Sequence, residues 1–236
     1  MRPHSFGSCK SSEPHELRPL STSLKNSTHL RILMEQKKLK LFAAGDFHND
    51  SSLAKKLAEL AVKENVDLII LNGDIVEEDT PHGIVGHFTA TNKKVVLVPG
   101  NHDMIATEFL SQLYKAPNLH GKYMIHYDVG IVGCGGANVG LHAVTEEEIY
   151  TMLKQGFEKI KHLPKKVMVT HVHPAGTKME QFSHFIKGSI GVRKAIEAFQ
   201  PDIVICGHVH EAEGIEEKIG RTTVINVGKK GKIIEV

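Results

Sequence analysis

Five short clusters of Asp, His and Asn punctuate the chain: Gly45-Asp46-Phe47-His48, Gly73-Asp74, Gly100-Asn101-His102-Asp103, His171-Val172-His173 and Gly207-His208-Val209-His210. They offer carboxylate and amide oxygens and imidazole nitrogens, with no thiolate among them. Such a donor set suits Mn²⁺, Fe, Zn²⁺ or Ni²⁺ better than a structural zinc site built on cysteines. About seven donors are too many for one ion. Two ions sharing a bridging carboxylate would use them all, and a metal pair about 3.5–4 Å apart is the arrangement for in-line phosphoryl displacement. Each cluster alone is also what an ordinary turn or helix cap looks like. Turns do not, however, demand His at positions 48, 102, 171, 208 and 210 together.

Every cluster follows an apolar run. The runs 39–44, 67–71, 94–98, 166–170 and 202–206 are continuous rather than alternating, which is the pattern of strands buried on both faces. In a largely parallel sheet the carboxyl ends of the strands lie along one edge, where open α/β folds bind their ligands. Five strands ending this way therefore bring the clusters together, and the adjacent glycines permit the sharp turns this needs. The intervening segments read as helices. Ser51 opens one whose inward face is Leu53, Leu57, Leu60 and Ala61, Thr145 and Glu148 form a capping box for a second reaching about His162, and 190–199 makes a third. The run 129–133 leads into a Gly-rich loop, 134–140, whose backbone N–H groups and Asn138 are candidates to meet a phosphate. The segments 222–227 and 232–236 read as two strands paired around a turn at 228–231, with Asn226 and Gly228 closing the sheet behind the site.

The chain of 236 residues is long enough for one sizeable core, and no apolar stretch approaches the ~20 residues of a membrane span. Residues 1–40 carry eight Lys/Arg against three acids, leaving 21 basic and 24 acidic residues beyond. A slightly acidic body disfavours nucleic-acid binding, which needs clustered positive charge. Three cysteines, Cys9, Cys134 and Cys206, make neither a disulfide framework nor a zinc cluster, so a reducing, cytoplasmic setting is expected. Residues 1–37, rich in Ser, Thr, Pro and His, read as a disordered extension lacking the apolar core of a secretory signal, and Met34 is a candidate initiator. Residues 38–236 read as a single domain.

The ordered set Asp-x-His, Gly-Asp, Gly-Asn-His-Asp, His, Gly-His-x-His resembles the calcineurin-like metallophosphoesterase superfamily, and the resemblance covers roughly residues 39–236. It implies an α/β fold of two packed mixed β-sheets flanked by helices, an α-β-β-α sandwich. It implies that Asp46, His48, Asp74 and His210 hold one divalent ion, and that Asp74, Asn101, His171 and His208 hold the other. A hydroxide activated by the two ions would attack phosphorus in line. His102 would steady the transition state and protonate the leaving oxygen, and Asp103 would orient His102.

Departures from the family narrow the subgroup. Purple acid phosphatases carry a Tyr three residues after the Gly-Asp aspartate, where this chain has Glu77, so a purple iron site is not expected. The recombination nucleases append a DNA-binding cap after the second His cluster, whereas this chain reaches its last residue soon after His210. The closing stretch resembles small single-domain phosphodiesterases of archaea and bacteria. The expectation is thus a phosphodiesterase with two divalent ions, Mn²⁺ foremost and Fe, Ni or Zn as alternatives. Competing readings are a monoesterase or nuclease with the same centre, and a non-catalytic protein-binding scaffold on the same fold. His173 is a candidate substrate contact beside Asn138, against the simpler reading of a solvated loop imidazole.

Overall fold

The apolar runs become the central strands of two sheets. The computed structural model describes residues 38–236 except His82, Leu141 and His184, and the extension expected over 1–37 lies outside the described residues. Strands β1 (Lys40–Ala44), β2 (Leu68–Asn72) and β3 (Lys94–Val98) run parallel, and β10 (Lys232–Glu235) pairs antiparallel with β1, in the order β10-β1-β2-β3. The second sheet has the order β4-β5-β6-β7-β9-β8. In it β5 (Val129–Cys134), β6 (Lys165–Thr170), β7 (Ile203–Cys206) and β9 (Thr222–Asn226) are parallel, while β4 (Lys122–His126) and β8 (Glu216–Ile219) form antiparallel edges.

Both faces of each sheet are covered, which is why the central strands carry no polar alternation. All five residues of β2 are buried. Leu41, Ala43, Leu68, Ile70, Val96 and Val98 of the first sheet share a cluster with Val129, Ile131, Val167, Val169 and Ile205 of the second, forming the layer between them. The outer face of the four-stranded sheet is covered by α1 (Ser51–Lys63), α2 (Ile84–Thr89) and α3 (Met104–Tyr114), and that of the six-stranded sheet by α4 (Glu146–Ile160) and α5 (Ile190–Phe199). Each fully buried Leu or Ile in these layers contributes about 1.5–3 kcal/mol. The result is the α-β-β-α sandwich expected from the resemblance.

Local signals set the helix starts. Asp50 caps α1 through a bond from the Leu53 N–H, and the reciprocal Thr145–Glu148 capping box opens α4. The buried stripe of α1 is Ala54, Leu57, Ala58 and Ala61, with Leu53 and Leu60 half-buried beside it. One expectation fails. The segments 222–227 and 232–236 do not pair with each other: β9 joins β7 and β8, whereas the chain crosses at 228–231 so that β10 pairs with β1 in the other sheet. Among the described residues no helix is long and apolar enough to cross a membrane.

Candidate metal centre

The five clusters follow the C-terminal ends of β1, β2, β3, β6 and β7, three from one sheet and two from the other, so they meet where the two sheets abut rather than along one edge. Their backbone is unusual. Asp46, His48, Asp74 and His208 have φ of 55°, 45°, 46° and 72°, in the left-handed region where a side chain costs about 1–2 kcal/mol. Cross-links between the loops enforce it. The Asp46 N–H donates to Gly73 O (2.9 Å), the His48 N–H to Asp74 O (3.0 Å), and the His208 N–H reaches both Asp46 carboxylate oxygens at 3.2 Å. Strain held this firmly belongs to sites whose geometry matters.

The expected ligands converge in two groups, and His48, Glu77 and His102 form a third cluster of the same kind. Asp46, His48 and His210 bring ligand-type atoms within 4.8 Å of one another, as do Asp74, His171 and His208. In the first group His48 Nε2 faces His210 Nε2 at 3.2 Å, and His210 Nε2 lies 3.6 Å from Asp46 Oδ1. In the second, His171 Nε2 lies 3.2 Å from both His208 Nδ1 and Asp74 Oδ2. Asp74 Oδ2 also stands 3.7 Å from His48 Nε2, so a single carboxylate oxygen borders both groups. Asn101 Oδ1 is buried without a hydrogen-bond partner among the described residues, an acceptor suited to a cation. The donor set is oxygen and imidazole throughout, and it fits two divalent ions.

Tautomers follow from the hydrogen bonds on the far side of the rings. His171 Nδ1–H donates to the Asn72 carbonyl (3.1 Å), which turns Nε2 toward Asp74. Burial alone would raise the Asp74 carboxyl, but the His171 imidazole and the His102 N–H outweigh it and hold it far below the carboxylate range. The His171 ring moves the opposite way: burial opposes its protonation, and the charges of Asp74 and Asp46 draw its pKa up. His208, buried and beside His171, is pushed down to about 3. A cluster that keeps the Asp74 carboxylate ionised and crowds imidazoles around it attracts cations.

His102 stands at the mouth with its side chain 48% exposed. The carboxylate expected to orient it points elsewhere. Asp103 is fully buried and accepts from the N–H groups of Gly100 (2.6 Å), Ile75 (2.7 Å) and Val76 (3.4 Å), tying the loop after β2 to the loop after β3. Burial, with the nearby Asp74 charge, pushes its pKa up to about 6 against those bonds. It is Glu77 that contacts His102: Nδ1–H donates to Glu77 Oε2 at 3.2 Å, and Glu77 Oε1 accepts from His48 Nδ1–H at 2.7 Å. Read from sequence only as the residue standing where a purple phosphatase has Tyr, Glu77 carries no signal of these contacts, which span 25 and 29 residues of chain.

The two remaining candidates sit differently. His173 is fully buried and neither ring nitrogen has a partner among the described residues, so it is not a solvated loop residue. Burial, reinforced by the nearby His171, lowers its pKa to about 4. Asn138 is half-buried, with its amide nitrogen donating to Glu146 Oε1 (2.8 Å) and to the Lys187 carbonyl (3.4 Å), so it braces the 134–140 loop against α4. Asn226 donates to the carbonyls of Gly207 and Val209 and holds the last histidine loop from behind. The mouth is a cavity of about 260 Å³ lined by Glu77, Glu78, Asp79, Asn101, His102 and Gly140, with no Lys or Arg among them.

A protein of Methanocaldococcus jannaschii whose role is uncharacterized is 30% identical over 186 residues, covering 73% of this chain and 82% of its own. The solved structure of TT1561 from Thermus thermophilus is similar with a TM-score of 0.67 at 17% identity, over 84% of this chain and 99% of that one. A dimetal phosphatase from Danio rerio is similar with a TM-score of 0.59 at 12% identity, over 80% and 87% of the two chains. At such identities the superpositions establish the fold. The sequence profile of the calcineurin-like phosphoesterases matches residues 39–212, and the chain belongs to that family.

Proposed function

We propose that this chain hydrolyses phosphodiesters at a centre of two divalent ions, one held by Asp46, His48, Asp74 and His210 and the other by Asp74, Asn101, His171 and His208. The observation that carries this reading is the position of Asp74 Oδ2, bordered by His48 Nε2 at 3.7 Å and His171 Nε2 at 3.2 Å, between two groups of otherwise separate ligands. Bound there, the ions supply Lewis acidity toward the phosphoryl oxygens and an activated water. Mn²⁺ is the first choice for a site of carboxylate, amide and imidazole without thiolate.

The residues of the chain do the rest. The left-handed turns at Asp46 and Asp74 hold the carboxylates in place before substrate arrives, so reorganisation is not part of the barrier. His102, with Nδ1–H held by Glu77, would as the imidazolium give its Nε2 proton to the departing oxygen, a contribution of about 10²–10⁴-fold. The preference for diesters follows from the mouth. Glu77, Glu78 and Asp79 repel a dianionic monoester more strongly than a monoanionic diester, and among the described residues lining the mouth there is no Arg or Lys to clamp the second charge. The same acidic rim works against long nucleic acids.

The test is metal add-back. Protein stripped with chelator is reloaded singly with Mn²⁺, Ni²⁺, Zn²⁺, Mg²⁺ or Fe²⁺ and assayed on bis(4-nitrophenyl) phosphate beside 4-nitrophenyl phosphate. Turnover of the diester restored by metal, lost in Asp74→Ala and reduced about 10²–10⁴-fold in His102→Ala, is the expected result. Two ions bound without turnover of either ester would move the weight to a non-catalytic role.

A further inference from the structure

Glu77 makes contacts that the two-ion reading leaves unexplained. One carboxylate joins an expected metal ligand to the expected proton donor, through Oε1 to His48 Nδ1 (2.7 Å) and Oε2 to His102 Nδ1 (3.2 Å), and the two imidazoles stand edge to face with centroids 5.1 Å apart. The loop that carries it is pinned on both sides. Thr80 folds back onto Glu77 through its N–H (3.1 Å) and accepts from Asn49 Nδ2 (2.7 Å), beside His48. Glu78 accepts from the N–H groups of Ile105 (2.9 Å) and Ala106 (3.2 Å), at the start of the helix that follows His102. Glu77 is therefore held between the two rings from either end of its loop.

We infer that Glu77 is a positioning residue that serves both rings. It fixes His48 in the Nδ1–H tautomer, so that Nε2 is the nitrogen presented toward His210 and Asp74, and it sets the angle of His102 at the mouth. His171 obtains the same tautomer control from a backbone carbonyl, the Asn72 oxygen, whereas His48 depends on a side chain. Ion binding at the Asp46 group and placement of the proton donor thus share one carboxylate. A partner of this kind is worth about 10–100-fold in metal affinity. The inference rests on the two-ion reading, and the experiment separates the two.

Mn²⁺ binding to the chelator-stripped full chain is measured by competition with a fluorescent chelator, for wild type, Glu77→Gln, Glu77→Asp and Glu59→Gln. Wild type is expected to bind two ions. In Glu77→Gln the affinity of one ion falls about 10–100-fold while the other is unchanged. Glu77→Asp keeps the charge but is too short to span both rings, so it behaves like Glu77→Gln, and Glu59→Gln, which removes an exposed charge of α1, keeps both affinities. At saturating Mn²⁺ the diester kcat of Glu77→Gln stays low with little change in KM, and adding Glu77→Gln to His102→Ala costs little more than His102→Ala alone. Wild type that bound neither ion would overturn the two-ion reading and the inference with it. Two ions in wild type with both affinities within twofold in Glu77→Gln, full recovery in Glu77→Asp, or a third ion lost with Glu77 would each overturn the inference alone.

Discussion

The Cα of Gly100 lies so close to Asp74 that a Cβ there would collide with the carboxylate oxygen and the backbone nitrogen of Asp74. The glycine before Asn101 is thus a requirement of packing: it lets the loop after β3 pass over the carboxylate that borders both ion positions. Gly100→Ala is expected to displace Asp74 by about an ångström and cut diester turnover about 100-fold, since misplacements of this size have that effect. Full activity in Gly100→Ala would show that the approach is looser than described. Mn²⁺ titration and kcat on the chromogenic diester check it together.

Asp103 is expected to act on stability before chemistry. Its two oxygens serve three backbone N–H groups from two loops, and an Asn in its place turns an NH₂ toward donors on one side. A buried donor left unsatisfied costs about 1–3 kcal/mol. Asp103→Asn should therefore lower the thermal midpoint even in metal-free protein. A variant with unchanged stability and the kinetic defect of His102→Ala would restore the expectation that Asp103 works through His102.

His173 predicts an acid-sensitive fold. The unfolded chain takes up a proton on this ring near the usual 6.5, while the buried ring of the folded protein does so only near 4. Between those values the unfolded state binds the extra proton, so stability from this residue is present above pH 6.5 and is lost as the pH falls toward 4. The loss amounts to about 2–3 kcal/mol. Urea denaturation at pH 7 and pH 4.5 should show that extra loss in wild type and not in His173→Gln, and equal losses in the two proteins would contradict the assignment.

The sequence announces the parts that depend on local pattern. Continuous apolar runs marked the buried strands, the Thr145–Glu148 pair marked the start of α4, and the polar clusters after the strands converge as their order implied. What it conceals depends on tertiary choice. The segments 222–227 and 232–236 have the look of a hairpin, yet β10 finds its partner in β1. The helix α3 leaves Ile105, Phe109 and Leu113 exposed, so it lacks the apolar-in, polar-out contrast that periodicity detects. Glu77 sits in an acidic triplet that reads as a solvated loop, and only folding brings it between His48 and His102.

In the proposed centre two ions flank Asp74. Anomalous diffraction from crystals soaked in Mn²⁺ tests it directly. Two peaks are predicted per chain, one within coordination reach of Asp46, His48 and His210 and the other of Asn101, His171 and His208, with the Asp74 carboxylate between them. A single peak, or peaks away from Asp74, would contradict the account.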